Sequence, residues 1–238
     1  MEYEFVNKGL LVNKKVLAIA DVHLGYEDAL INSGVLVPKG EQLKQSVEDL
    51  SEIFAELGER GIKLEKVVIL GDLKHHFGKI SGQEWSDTLK FIDFILKQCK
   101  EVILLKGNHD KILEPIANKR NLEIKEFFVF EDIFFSHGDK DYLEMLDKKI
   151  ELIVVGHFHP AIEISDKYKK EKYKCFLSGK WKNKEVIVLP SFISLVQGKE
   201  VEQSEEFGIS LKLEEFKVHV VGDKVYDFGK LKSLRKLV

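Results

Sequence analysis

Three short apolar runs, at residues 15–20, 67–70 and 102–105, each break off into polar residues: Asp21, then Gly71-Asp72, then Gly107-Asn108-His109-Asp110 after Lys106. Unbroken apolar runs of this length read as strands buried on both faces. The segments between them carry helical spacing. After Pro38, the residues Leu43, Val47, Leu50, Ile53, Phe54 and Leu57 recur on one face, and Gly58 and Gly61 suit the helix end. Ser81 and Glu84 stand at capping-box spacing and open a second helix running to about Cys99. A β-α-β-α-β order requires a largely parallel sheet with right-handed crossovers. Parallel strands bring their carboxyl ends to one crevice, so the polar residues behind these runs are expected to meet.

The second half of the chain reads differently. Phe127–Phe130 and Ile133–Ser136 are spaced as a hairpin, a short helix is expected at about 142–148, and Leu152–Val155 is a further strand. Short strand candidates follow at 161–164, 173–177, 186–189, 209–213 and 217–221, predicting a mixed sheet. A chain of 238 residues with 44% hydrophobic content suits one domain, 1–238, with its two halves packed face to face. The net charge of −3 shows no overall basic bias. Cys99 and Cys175 form no disulfide or metal-binding pattern, the first residues do not read as a signal peptide, and no apolar stretch is long enough to span a membrane. A soluble, cytoplasmic protein without membrane contact is expected, and a homodimer is left open.

Metal-competent side chains recur at the strand ends. They are Asp21 and His23 in "DVH", Asp72 in "GD", Asn108 and His109 in "GNHD", His137 in "SHGD", and His157 and His159 in "GHFHP". In an extended segment, residues two apart point the same way, which lets Asp21 share a site with His23 and His157 with His159. Taken singly, a histidine beside a strand is usually a hydrogen-bonded structural residue, and "GD" or "GNH" is first a turn signal. Together the seven groups Asp21, His23, Asp72, Asn108, His137, His157 and His159 provide imidazole, carboxylate and amide donors for two divalent metals. Mixed nitrogen and oxygen ligation suits Mn2+, with Fe2+, Zn2+ or Ni2+ as alternatives, better than Ca2+ or Mg2+. Two divalent ions less two carboxylates and a bridging hydroxide leave a net positive site, which attracts phosphate and can support displacement at phosphorus by a metal-activated hydroxide.

These five motifs, in this order and at these separations, resemble the calcineurin-like metallophosphoesterases over roughly residues 15–195. The further run "HPAI…CFLSG…LPSF" is similar to the DNA-ligase-associated and archaeal phosphoesterase branch related to SbcD and Mre11. The resemblance implies an α/β fold, an αββα four-layer sandwich of two mixed sheets. It implies that Asp21, His23 and His159 hold one metal, that Asn108, His137 and His157 hold the other, and that Asp72 bridges them. It implies that His109 approaches the phosphate without ligating metal, while Asp110 orients it. His109 is then suited to stabilise the transition state and protonate the leaving alkoxide as general acid, with the Asp110 carboxylate fixing its tautomer and raising its pKa.

The implied activity is phosphodiester hydrolysis, on nucleic acid or cyclic nucleotide, in the manner of a phosphodiesterase or nuclease. A phosphomonoesterase or nucleotide pyrophosphatase, or a non-catalytic scaffold of the same fold, are the alternatives. In "GDLKHHF", Lys74, His75 and His76 are substrate-contact candidates, or else a solvated loop. A lysine-rich hairpin is expected at about 166–185, where lysines interleave with Tyr168, Tyr173, Phe176 and Trp181. It reads either as a nucleic-acid surface or as an edge that resists aggregation. His219, on an alternating strand, is expected to be exposed.

Overall fold

The computed structural model describes residues 2–165, 169–201, 204–206 and 210–234. Two sheets face one another. The first has the order β1 (Tyr3–Val6), β2 (Gly9–Val12), β3 (Val16–Ile19), β4 (Lys66–Ile69), β5 (Glu101–Leu105) and β6 (Ile124–Lys125). Its first three strands form an antiparallel meander, and β3 to β6 are parallel. The crossovers carry α1 (Tyr26–Asn32), α2 (Glu41–Glu59), α3 (Gly82–Gln98) and α4 (Glu114–Asn118).

The second sheet is built from β7 (Phe127–Phe130), β8 (Ile133–Ser136), β9 (Leu152–Val155), β10 (Pro160–Ser165), β11 (Lys170–Trp181), β12 (Lys184–Val188) and β13 (Lys199–Glu200). A small ribbon, β14 (Ser204–Glu206) with β15 (Ser210–Lys212), stands apart, and β16 (Lys217–Val221) and β17 (Val225–Lys230) extend the second sheet through β11. Within this sheet β8, β9 and β12 run parallel, and β7 pairs antiparallel with β8.

The alternation of strand side chains explains why the three runs are apolar throughout. Val16, Ala18, Ala20, Val68, Leu70, Ile103 and Leu105 point between the sheets, where they meet Ile133, Phe135, Leu152, Val154, Phe176 and Ile187. Leu17, Ile19, Val67, Ile69, Val102 and Leu104 point the other way, against Leu50, Ile53 and Leu57 of α2 and Phe91, Ile92 and Ile95 of α3. A strand with helices on one side and a sheet on the other has no solvent face to mark with polar residues. The outer face of the second sheet is closed by two 3-10 turns, Leu143–Leu146 and Leu213–Glu215, and by the short α5 (Leu231–Leu234). The expected α/β sandwich of two mixed sheets flanked by helices is therefore present, with a thin helical layer on the second side. Among the described residues no helix is long and apolar enough to cross a membrane.

Several local expectations are corrected. The helix expected at 142–148 is a single 3-10 turn. The N-terminal hairpin, turning at Asn7-Lys8 with Asn7 in the left-handed region, joins two strands of only four residues and was not anticipated. The lysine-rich stretch does form a hairpin, β11 turning through Lys182-Asn183 into β12, but inside the sheet and not at its edge. From Lys170 onward it is the long strand β11, paired with β10, β12 and β16, while Tyr168 lies outside the described residues. Its aromatics serve packing: Phe176 fills the space between the sheets, and Tyr173 and Trp181 pack against the outer core. His219 is not exposed; its ring packs 4.6 Å from that of Phe5 and its Nε2 pairs with the Ser178 hydroxyl at 2.8 Å.

Gly179 of β11 lets Phe216 press against the strand. A Cβ there would lie 2.4–2.6 Å from Phe216 ring atoms, and Phe216 is fully buried with no room to move away. Gly179→Ala is expected to destabilise the fold by about 1–3 kcal/mol, the usual cost of overpacking. A urea-unfolding midpoint equal to that of the parent would refute this.

Candidate metal centre

The candidate ligands follow the carboxyl ends of β3, β4 and β5 in one sheet and β8 and β9 in the other, so both sheets open onto one cleft. Extended geometry does not aim them, contrary to expectation. Asp21, His23, Asp72, His157 and His159 all have positive φ, between 46° and 69°, in the sparsely populated left-handed region. The chain turns sharply after β3, β4 and β9, and the turns are laced together. The N–H groups of Asp21, His23 and Leu24 donate to the carbonyls of Gly71, Asp72 and Leu73, and that of His75 returns to Leu24. The His157 N–H donates to the Asp21 carboxylate at 2.9 Å. From α2, the Gln42 amide donates to the carbonyls of Val22 and His23.

The seven side chains converge as two groups that meet at Asp72. In the first, donor atoms of Asp21, His23 and His159 lie within 4.8 Å of one another; in the second, those of Asp72, His137 and His157 do. His23 Nε2 stands 3.2 Å from His159 Nε2 and 3.6 Å from Asp72 Oδ2. His137 Nε2 stands 3.0 Å from Asn108 Oδ1, 2.9 Å from His157 Nδ1 and 3.5 Å from Asp72 Oδ2. His137 Nδ1 donates to the Leu70 carbonyl at 2.8 Å, which leaves its Nε2 lone pair facing the group.

A divalent ion fits this arrangement. Two ligand atoms about 2.1 Å from one ion, at right angles, are about 3.0 Å apart. Asp21 Oδ1 is buried without a hydrogen-bond partner among the described residues and faces His159 Nε2 at 3.4 Å. Lone pairs turned toward each other in a buried place are costly unless a cation sits among them.

The electrostatics agree. Burial, with repulsion from Asp21 and Asp110, pushes the Asp72 carboxyl up to about 9; a bound cation would hold it ionised at neutral pH. For Asp21 burial opposes ionisation, but the imidazoles of His159, His137 and His23 outweigh it and hold its carboxyl below the ordinary range. Burial drives His23 well below its ordinary value, and burial with the neighbouring His137 lowers His157 to about 4. Neutral imidazoles are the form that binds metal.

His109 sits at the rim, its Nε2 3.9 Å from Asp72 Oδ2. Its backbone N–H donates to Asp72 Oδ1 at 2.8 Å, and its Nδ1 pairs with the His75 carbonyl. The expected role of Asp110 is therefore corrected. Its carboxylate is buried and accepts the backbone N–H groups of Leu73, Lys74 and Gly107 at 3.1–3.4 Å, tying the two loops together. The His75 carbonyl holds the imidazole instead, and burial lowers the His109 pKa rather than raising it.

The three substrate-contact candidates separate. Lys74 is fully buried, and its ammonium holds the carbonyls of His76 and His109, so it is not at the surface. His76 turns toward Glu84, whose carboxylate also accepts the His75 and His76 N–H groups at 2.9 Å. Glu84 thus serves this loop rather than completing the capping box; Ser81 alone caps α3, accepting the Glu84 N–H at 3.0 Å. His75 lines the cleft, and its ring nitrogens group with those of His23 and His109.

The cleft measures about 610 Å³, and its outer wall includes Tyr26, Lys172, Ile193, Val196, Lys199 and Glu200. Of these, only Lys172 falls in a stretch that the sequence marked, the lysine-rich run at 166–185. Gly107 admits the Asp72 carboxylate: a Cβ there would lie 2.1 Å from Asp72 Oδ1.

A family model described as calcineurin-like phosphoesterase matches residues 14–184. Among solved structures, the chain is similar to the Pseudomonas putida nuclease MPE, at 18% identity over 95% of this chain and 100% of that one, with a TM-score of 0.65. It is also similar to the E. coli phosphoesterase Yfce, at 15% identity over 91% and 97% of the two chains with a TM-score of 0.43. No curated protein matches.

Asp72→Asn is expected to lower Mn2+ stoichiometry or affinity at both groups, since Asp72 faces each; titration calorimetry showing one group undisturbed would refute a shared carboxylate. Asp110→Asn is expected to lower thermal stability by roughly 1–3 kcal/mol through lost backbone acceptors. An unchanged melting temperature would show that the loop tie is not stabilising.

Proposed function

This chain belongs to the calcineurin-like phosphoesterase family, and on that premise we propose that its cleft is a two-metal site for hydrolysing phosphodiesters. The family is one of metal-dependent phosphoester hydrolases. The observation that carries the finer reading is the meeting of two ligand groups at one buried carboxylate, Asp72, with His109 on the rim. Asp21, His23 and His159 would hold one ion, and Asn108, His137 and His157 the other. Mn2+ suits this donor set. Bound there, the ions would supply positive charge for phosphate oxygens and make water a competent nucleophile near neutral pH.

The protein's own groups complete the chemistry. The His75 carbonyl engages His109 Nδ1 and leaves Nε2 toward the cleft. Burial and the neighbouring Lys74 ammonium favour the neutral ring, and the negative charge of an entering phosphate favours its protonated form. Protonated at Nε2, His109 stabilises charge on the phosphoryl oxygens and delivers its proton to the leaving alkoxide. The imidazole of His75, 5.3 Å from that of His109, would contact the ester group beside the scissile bond.

A diester substrate is supported by the breadth of the cleft, by the lysines Lys172 and Lys199 on its wall, and by the likeness in fold to a nuclease. The run "HPAI…CFLSG…LPSF" supports placing the chain with the DNA-ligase-associated and archaeal branch.

Mn2+-loaded protein is expected to turn over bis(p-nitrophenyl) phosphate and to lose this activity in chelator. Turnover of p-nitrophenyl phosphate alone would indicate a monoesterase, and turnover of neither would indicate a scaffold. His109→Ala is expected to keep its metals and to lose about 10²–10⁴-fold on a nucleotide diester, as removal of a general acid does. The loss should be far smaller on a p-nitrophenyl ester, whose leaving group needs no proton. Equal losses on both substrates would remove the general-acid role.

A further inference from the structure

Beside the metal cleft lies a second pocket of about 530 Å³, lined by Lys8, Lys172, Lys174, Asp49, Ser194 and Gln197 among others. It opens where the packing between the two sheets ends. On β11, Lys172, Lys174 and Phe176 share a face; Phe176 fills the space between the sheets, and the two lysines continue past it.

Lys174 is the unusual member. It is only 7% exposed, its ammonium donates to the Ser191 hydroxyl at 2.6 Å, and among the described residues it has no ion pair. Lys8, by contrast, is saturated: it meets the Asp49 carboxylate, the Phe192 carbonyl at 2.9 Å and the Ser194 hydroxyl at 2.7 Å. Asp49 is committed to Lys8 and to Ser194, and Glu171 is engaged by Lys169 and the Tyr173 hydroxyl. Lys174 therefore keeps two N–H donors without a protein acceptor inside a cavity. Burial, with Lys8 nearby, lowers its pKa to about 7. Asp21 and Asp49 favour the charged form, but burial outweighs them; a buried ammonium with two open donors is costly, and an anion on those donors would relieve it.

The pocket and the metal cleft share a wall. Lys172 lines both. In the segment 191–198, Ser194 and Gln197 face the pocket, while Ile193, Val196 and Gly198 face the cleft. That segment is fastened to the ligand strand, where the Phe192 N–H donates to the Ala20 carbonyl at 2.7 Å. A strand that carries successive phosphates along its backbone can fill both places.

We propose that the pocket of Lys172 and Lys174 binds a backbone phosphate of a polynucleotide strand beyond the one being cleaved. The inference rests on the phosphodiesterase reading and deepens it: a cyclic mononucleotide brings one phosphate, whereas a nucleic-acid strand brings one to each place. Charge-assisted hydrogen bonds from both lysines would hold the phosphate.

The test is fluorescence anisotropy of Mn2+-loaded protein with a 5′-fluorescein octathymidylate carrying phosphorothioate linkages, which keep the charge and resist hydrolysis. Titrations run from low to high KCl on the parent, Lys174→Met, Lys172→Met and, as a surface charge control, Lys97→Met on α3. Each pocket variant is expected to weaken binding about tenfold at low salt. Each should also flatten the slope of log K against log salt by about 0.7, the value for one lost single-strand phosphate contact. The partly exposed Lys172 keeps the test decisive should Lys174→Met fail to fold. Slopes equal to the parent, or to Lys97→Met, overturn the inference. So does a loss of the same size for fluorescein-labelled thymidine 5′-phosphate, which would mark a site for a terminal or free phosphate. Lysine-dependent strand binding in a protein that hydrolyses no diester sinks the phosphodiesterase reading and leaves this site standing. Diester turnover with lysine-independent binding does the reverse.

Discussion

A carboxylate that the fold cannot leave uncompensated lies at the middle of this molecule. Asp72 is buried at the end of β4, close to Asp21 and Asp110, and its ordinary ionised form is strongly disfavoured there. The groups around it offer little relief. Among the described residues one backbone N–H, from His109, reaches it, and the imidazoles of His23, His137 and His109 stand 3.5–3.9 Å away. A buried anion in such company is stabilised by cations that are not side chains. The convergence of both sheets on one cleft and the glycine at position 107 provide for that need.

Much of the surrounding structure serves to hold that centre still. Five candidate ligands occupy left-handed backbone, a conformation that persists only where neighbouring interactions over-determine it. Those interactions are visible. Carbonyls of the turn after β4 accept N–H groups from the turn after β3. Asp110 gathers three N–H groups of the loops after β4 and β5. Buried Lys74 holds the His76 and His109 carbonyls, and Glu84 reaches from α3 to the same loop. Polar residues that would be costly alone become a rigid frame once each is satisfied.

The strands and long helices followed from local pattern. Runs of apolar residues marked β3, β4, β5 and β9, helical spacing marked α2 and α3, and the paired runs at 127–136 formed the hairpin of β7 and β8. The N-terminal hairpin and α1 escaped because they are short, with strands of four residues and a helix of seven, too few to display a period. The stretch rich in lysine and aromatics misled because alternation along β11 sends its lysines and most of its aromatics to different surroundings. Among the polar residues, Asp110, Lys74 and Glu84 were visible as chemistry, but their partners are backbone groups, and a backbone N–H or carbonyl carries no residue identity to read.

What the sequence by itself determined is which polar residues meet and why: residues placed after parallel, doubly buried strands must gather at one end of the sheet. What only the tertiary structure decided is how each group is used. Whether a carboxylate orients an imidazole or ties two loops depends on which N–H groups lie within hydrogen-bond reach. Whether a lysine faces solvent, a carbonyl or an empty cavity depends on where the packing between the sheets ends. Both are set by elements far apart in the chain, and local spacing carries no record of them.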